Sequence, residues 1–156
     1  MKIRQLTLAE AEFVAHRLAT ELMSSDDEPI PPFHTREAGK LESCLKEPFQ
    51  TFGGRNLHHT FADKAATLFY LITKNHCFEN GNKRMAVTLT MVFCFINKRW
   101  INMSSEEMYR IANLVARSHS KDRDKVHIIL QTLFKGLLEP MPKEHRLDRR
   151  RLVNPQ

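Results

Sequence analysis

The stretch His76 to Arg84, which reads His-Cys-Phe-Glu-Asn-Gly-Asn-Lys-Arg, gathers side chains that handle protons and anions. Imidazole exchanges its proton near neutral pH, so His76 can take a proton from an attacking hydroxyl as a general base. Gly81 lets the backbone approach a ligand closely. Asn82 can cap a helix or hydrogen-bond an oxygen, and Lys83 and Arg84 add two full positive charges. Those cations stand in the first turn of the helix that the following apolar run predicts. A helix dipole disfavours cations at that end, so helix stability does not explain them. A bound phosphate does, because the same helix end exposes unpaired backbone N–H groups. Phe78, set between the polar groups, is expected to point into the core as an anchor for the loop. A base, an anion cradle and charged phosphate ligands together suit transfer of a phosphorus-centred group, where positioning and charge stabilisation do most of the work.

Each residue alone has a plainer reading. A His at a helix end is usually a cap or solvated, Asn-Gly is usually a turn, and Lys-Arg usually sits on a wet surface. Their occurrence together, between two strongly apolar segments, is what favours a site. The GxxxxGK[ST] spacing of a P-loop is absent.

The elements that must hold this stretch are helical. Ala11, Val14, Ala15, Leu18 and Leu22 recur at helical spacing behind a Thr7/Glu10 capping box. Ser24 to Pro32 is a loop, and residues 36–47 predict a short helix stopped by Pro48. Residues 49–57 are irregular or hairpin-like around Gly53-Gly54. Thr60 and Asp63 open a helix whose buried stripe is Ala62, Ala65, Ala66, Phe69 and Ile72. Lys83 to Ile96 is apolar nearly all round and belongs at the centre of a bundle. Ser104 and Glu107 form another capping box ahead of Met108, Ile111, Ala112 and Val115. Val126, Ile129, Leu130, Leu133 and Leu137 mark the last helix. No alternating strand series is present, so the expected fold is all-α, a bundle of about six helices. Residues 1–139 form the expected domain, and residues 140–156 a basic, flexible tail.

Composition agrees with one soluble domain. The chain has 156 residues, 42% hydrophobic and 27% charged, with a net charge of +6. That excess favours an anionic partner without choosing which one. Cys44, Cys77 and Cys94 show no metal spacing and are expected as reduced thiols in a cytoplasmic protein. The most apolar run, Met85 to Ile96, falls short of the ~20 residues a membrane helix needs.

Residues 75–86, NHCFENGNKRMA, resemble the signature HxFx[D/E]GN[G/K]R of the Fic/Doc (Fido) superfamily, and the NKR ending is the form of its death-on-curing (Doc) branch. REAGKLESCLKEP at 36–48 and HTFADKAATLFYLITKNH at 59–76 are similar to the helices that flank this loop in Doc proteins. The resemblance implies a Fido-type helical bundle with a flap at residues 49–57. It implies transfer of a nucleotide-derived group from ATP, with Mg²⁺, to a Ser, Thr or Tyr hydroxyl of a protein, a translation factor among the candidates. It makes His76 the catalytic base, Gly81 and Asn82 the anion hole, and Arg84 the holder of distal phosphates. Lys83 stands where AMP-transferring members have glycine, and Val87 where they have a second arginine. Both favour phosphate transfer by a toxin restrained by an antitoxin. AMP transfer is the first alternative.

Asn80 stands where the family has a metal-binding carboxylate, and a neutral amide is a weaker Mg²⁺ ligand. A nucleotide- or partner-binding protein with a decayed site is therefore the second alternative. Nucleic acid and membrane partners are disfavoured. His58 and His59 are neighbours at a helix start, so their side chains are expected to point apart into solvent rather than to share a metal. Trp100 is expected as a core plug. Ser24 and Glu28 fit a self-inhibitory SxxxE pattern only in part, since Pro29 follows where Gly or Asn is usual.

Overall fold

A computed structural model describes residues 2–25 and 28–143 of the chain. The first helical rod runs from α1 (Leu8–Glu10) through a π-helical stretch, Ala11–His16, into α2 (Arg17–Met23). Then follow α3 (Lys40–Lys46), α4 (Phe61–Lys74), α5 (Asn82–Ile96), α6 (Ser105–Arg117) and α7 (Arg123–Leu137). With the first rod counted as one, the described residues hold six α-helical rods, as the apolar periods predict. Two small antiparallel pairs complete them. The first is β1 (Thr51–Phe52) with β2 (Arg55–Asn56), and the second is β3 (Arg99–Ile101) with β4 (Leu138–Pro140).

The centre is the pair α4–α5. In α4 the apolar stripe and its flanks are covered from Ala62 to Thr73, because α3, α5, α6 and α7 all pack on it. In α5, Met85, Ala86, Val87, Leu89, Val92, Phe93 and Cys94 are buried, as an all-round apolar helix must be. Thr60 and Ser104 cap α4 and α6 through their side chains, at the positions the sequence marks.

The first rod departs from expectation. Ala11, Ala15 and Ala19 are fully buried, whereas Val14, Leu18 and Leu22 stand 40%, 38% and 76% exposed. The π stretch is the reason. Its wider turn brings residues four apart onto one line, so three alanines let the rod lie close on α5. The larger side chains border an apolar hollow of about 390 Å³ together with Met91, Phe95 and Trp100. Trp100 is thus half-buried in β3 at the rim of that hollow and does not plug the core.

Residues 51–56 resolve into a true hairpin. Gly53 and Gly54 both take positive φ (+55° and +76°), as a two-residue primed turn requires. The expected boundary at residue 139 also shifts. β4 pairs with β3, and the N–H of Met141, itself buried, donates to Lys98 O at 3.1 Å. Residues 144–156 of the expected basic tail lie outside the described residues.

All three thiols are buried. Burial pushes Cys94 from the ordinary value near 9 up to about 12. The folded state therefore keeps its proton longer than the unfolded chain does. Stability from this group is complete below pH 9 and is lost as pH climbs toward 12. The parent should lose about 1.4 kcal/mol per pH unit across that window relative to Cys94→Ala. Urea midpoints of both proteins between pH 8 and pH 11 check this, and parallel curves would refute it.

Candidate active site

The loop between α4 and α5 is built by alternation. α4 closes at Asn75, whose N–H donates to Leu71 O at 2.9 Å. His76 comes next in the left-handed region, φ +50°, one of two non-glycine residues with positive φ among the described residues. That turn leaves His76 exposed and sends Cys77 and Phe78 into the core. Phe78 packs near the rings of Phe33 (6.2 Å between centroids) and His16 (6.4 Å). Cys77 lies against Cys44 with their sulfurs 3.6 Å apart, and its carbonyl accepts from Glu37 N–H at 2.8 Å.

Asn82 sits at the start of α5 and clamps the loop. Its Oδ1 accepts from Phe78 N–H at 2.9 Å, and its Nδ2 donates to Phe78 O at 2.8 Å. Its side chain therefore braces the loop. Gly81 holds φ +81°, and a Cβ there would stand 3.3 Å from Ile30 Cγ1. The Gly81 N–H donates to Asn80 Oδ1 at 2.7 Å, so Asn80 covers the amide expected to meet an anion.

Arg84 is buried, and its Nη1 donates to Met23 O at 3.1 Å and Glu28 O at 2.5 Å. Here it ties α5 to the end of α2. Lys83 is half-buried, with Nζ 5.8 Å from the centre of the Tyr109 ring, a cation–π placement.

These residues share one cleft of about 250 Å³, lined by His76, Glu79, Asn80, Gly81, Asn82, Lys83 and Arg84 from the loop and α5. Glu28, Thr73, Tyr109 and Ala116 complete its wall. Tyr109 carries no signal in the sequence, since it lies beside the buried stripe of its helix. Among the described residues of the SxxxE stretch, Glu28 is the one that reaches the cleft. A phosphate entering here meets the first-turn N–H groups of α5, which have no intrahelical partner. It would exchange the neutral Asn80 oxygen on Gly81 for a charged one, and charge-assisted hydrogen bonds are roughly twice as strong. Asn80, a neutral amide, is a weaker Mg²⁺ ligand than a carboxylate, and its Oδ1 already accepts from the Gly81 N–H. The acidic residues in the lining of the cleft are Glu28 and Glu79.

Comparison with known proteins adds two findings. Residues 6–94 match the model of a family described as the Fic/DOC family. A segment of 62 residues is 34% identical to a protein named Toxin Doc from Mycolicibacterium smegmatis (strain ATCC 700084 / mc(2)155), covering 40% of this chain and 48% of that relative. The chain thus spans about half the length of the curated relative it matches. No solved structure matches. Among the described residues, no helix is long and apolar enough to cross a membrane.

Proposed function

The chain belongs to the Fic/DOC family, and from that premise we propose that it transfers the terminal phosphate of ATP to a hydroxyl of a protein. The observation that carries this reading is the shared cleft, which sets His76 beside the N-terminus of α5 with Lys83 and Arg84. His76 takes the proton of the target hydroxyl. The freed oxygen bonds to the γ phosphorus, and the bond between that phosphorus and the ADP oxygen breaks. The first-turn amides of α5 and the cations of Lys83 and Arg84 hold the phosphate charge as it redistributes. Glu28 and Glu79, the acidic residues of the cleft, would hold a Mg²⁺ ion, whose charge would offset that of the phosphates. The β1–β2 hairpin offers an exposed edge for an extended target chain. By extension from the relative named as a toxin, we read the protein as a toxin held in check by an antitoxin.

ATP labelled separately at the α and γ phosphorus, incubated with purified protein and a cell lysate, tests the reaction. Label from the γ position on a protein band supports phosphate transfer. Label from the α position overturns it in favour of AMP transfer and of a different role for Lys83.

The neutral Asn80 turned onto Gly81 favours one second reading, a nucleotide-binding protein whose catalysis has decayed. That reading expects a parent without turnover and strong activity in Asn80→Asp. An active parent rejects it.

A further inference from the structure

At the opposite end of α4 from His76, three side chains from separate parts of the chain converge. His58 lies between β2 and α4, Asp63 in the first turn of α4, and His127 on α7. Their donor atoms all lie within 4.8 Å of one another. We propose that His58, Asp63 and His127 bind one divalent transition-metal ion of the zinc type, which fastens the stem of the β1–β2 flap to α4 and α7.

The geometry is specific. His58 Nδ1 stands 2.9 Å from Asp63 Oδ1, and His127 Nε2 stands 3.3 Å from the same oxygen. Bonds of about 2.0–2.2 Å to a tetrahedral metal set neighbouring ligand atoms about 3.3 Å apart. The His127 distance to Asp63 already matches that value, and the His58 distance is shorter, so His58 would draw back slightly to admit an ion. Thr67 supplies a further constraint. Its hydroxyl lies 2.9 Å from Asp63 O, an acceptor only, so the hydroxyl proton goes there. The same oxygen is 3.0 Å from His58 Nδ1 and 2.9 Å from His127 Nε2. Both rings therefore aim one nitrogen at the same small space between Asp63 and Thr67. Without a cation, two N–H groups crowd there; with one, two lone pairs and a carboxylate oxygen meet it.

The surroundings hold the ligands in place. Asp63 is 8% exposed, and its second oxygen accepts from His59 N–H at 3.1 Å, which fixes the carboxylate plane. Two imidazoles and one carboxylate suit zinc, cobalt or nickel better than Mg²⁺ or Ca²⁺, which take oxygen ligands. The fourth position falls to water. Thirteen residues of helical rise put this cluster about 20 Å from His76, so the ion would act on the fold and not on transfer. His58 is half-buried and turned inward, contrary to the solvated pair expected for His58 and His59; His59 is exposed.

The test uses the full chain without an affinity tag, stripped by chelator and then given ZnCl₂ alone. Metal retained after desalting and the thermal melt are measured, with Co²⁺ as a visible-absorbing substitute. One equivalent of zinc should be retained, the melting temperature should rise by several degrees, and Co²⁺ should show the absorption of a tetrahedral site. His127→Gln should weaken zinc binding by at least about tenfold and abolish the thermal rise. Equal zinc binding by parent and His127→Gln, or no retention by the parent, would leave the cluster a plain hydrogen-bonded cap and overturn the proposal. If His127→Gln does not fold, His58→Gln takes its place under the same criteria. None of these readouts depends on transfer activity.

Discussion

Replacing His76 with glycine should abolish group transfer while making the protein more stable. His76 follows the last turn of α4 with φ +50° and is exposed, the position where helices commonly end on glycine in the left-handed region. A side chain with a Cβ there costs about 1 kcal/mol, which glycine recovers. For a chain of this size that is worth about 2–4 °C in melting temperature. The same change removes the proposed base, and the loss in transfer rate should be about 10²–10⁴-fold. His76→Ala separates the two effects, because it deletes the imidazole but keeps the Cβ. It should lose the same activity with no thermal gain. Transfer of γ-labelled phosphate and a calorimetric melt check both. Activity within tenfold of the parent in His76→Gly would remove His76 from the mechanism. An unchanged melt would show that its backbone carries no strain.

Asn82→Ala is expected to be the most damaging change in the loop. Both backbone groups of Phe78 are satisfied by this one amide, at 2.9 and 2.8 Å. Alanine leaves a donor and an acceptor unpaired in a partly covered place, a cost of about 2–3 kcal/mol. The melting temperature should fall by about 4–12 °C, and transfer should drop because His76 and Gly81 lose their fixed separation. Asn82→Asp keeps the acceptor for Phe78 N–H and loses only the donor, so it should fall between parent and alanine. If Asn82→Ala melts with the parent yet loses activity, the side chain contacts the nucleotide and the bracing role assigned here is wrong.

The nine-residue loop stands out in the sequence because its chemistry is local: the residue types and their spacing already suggest a candidate base, a glycine that admits close approach and a helix start. The core helices were legible for a similar reason, since α4 and α5 carry dense apolar stripes. What the sequence hid is non-local or off-period. A π stretch resets the first rod, so Ala19 joins Ala11 and Ala15 on the buried line while Val14, Leu18 and Leu22 of the same expected stripe turn outward. The three-residue strands β3 and β4 pair across the whole of α6 and α7, with no alternating run to announce them. The clamp of Asn82 on both backbone groups of Phe78 shows only once the loop's closed path is seen. Tyr109 reaches the cleft, and His58 meets His127, only once distant helices have packed.

Near the exit of α5 two far-apart stretches meet. Asn97 exchanges hydrogen bonds with the backbone of Arg4, at 2.7 and 2.9 Å, and its neighbour Lys98 accepts from Met141. While the protein is being synthesised, α4, the loop and α5 can form from neighbouring contacts as soon as they leave the ribosome. The joint to Met141 must wait until nearly the whole described chain has emerged. The nascent polypeptide would therefore carry an assembled α4–α5 loop before its frame is locked, and a chain cut short at residue 120 would have that loop but lack α7 and β4.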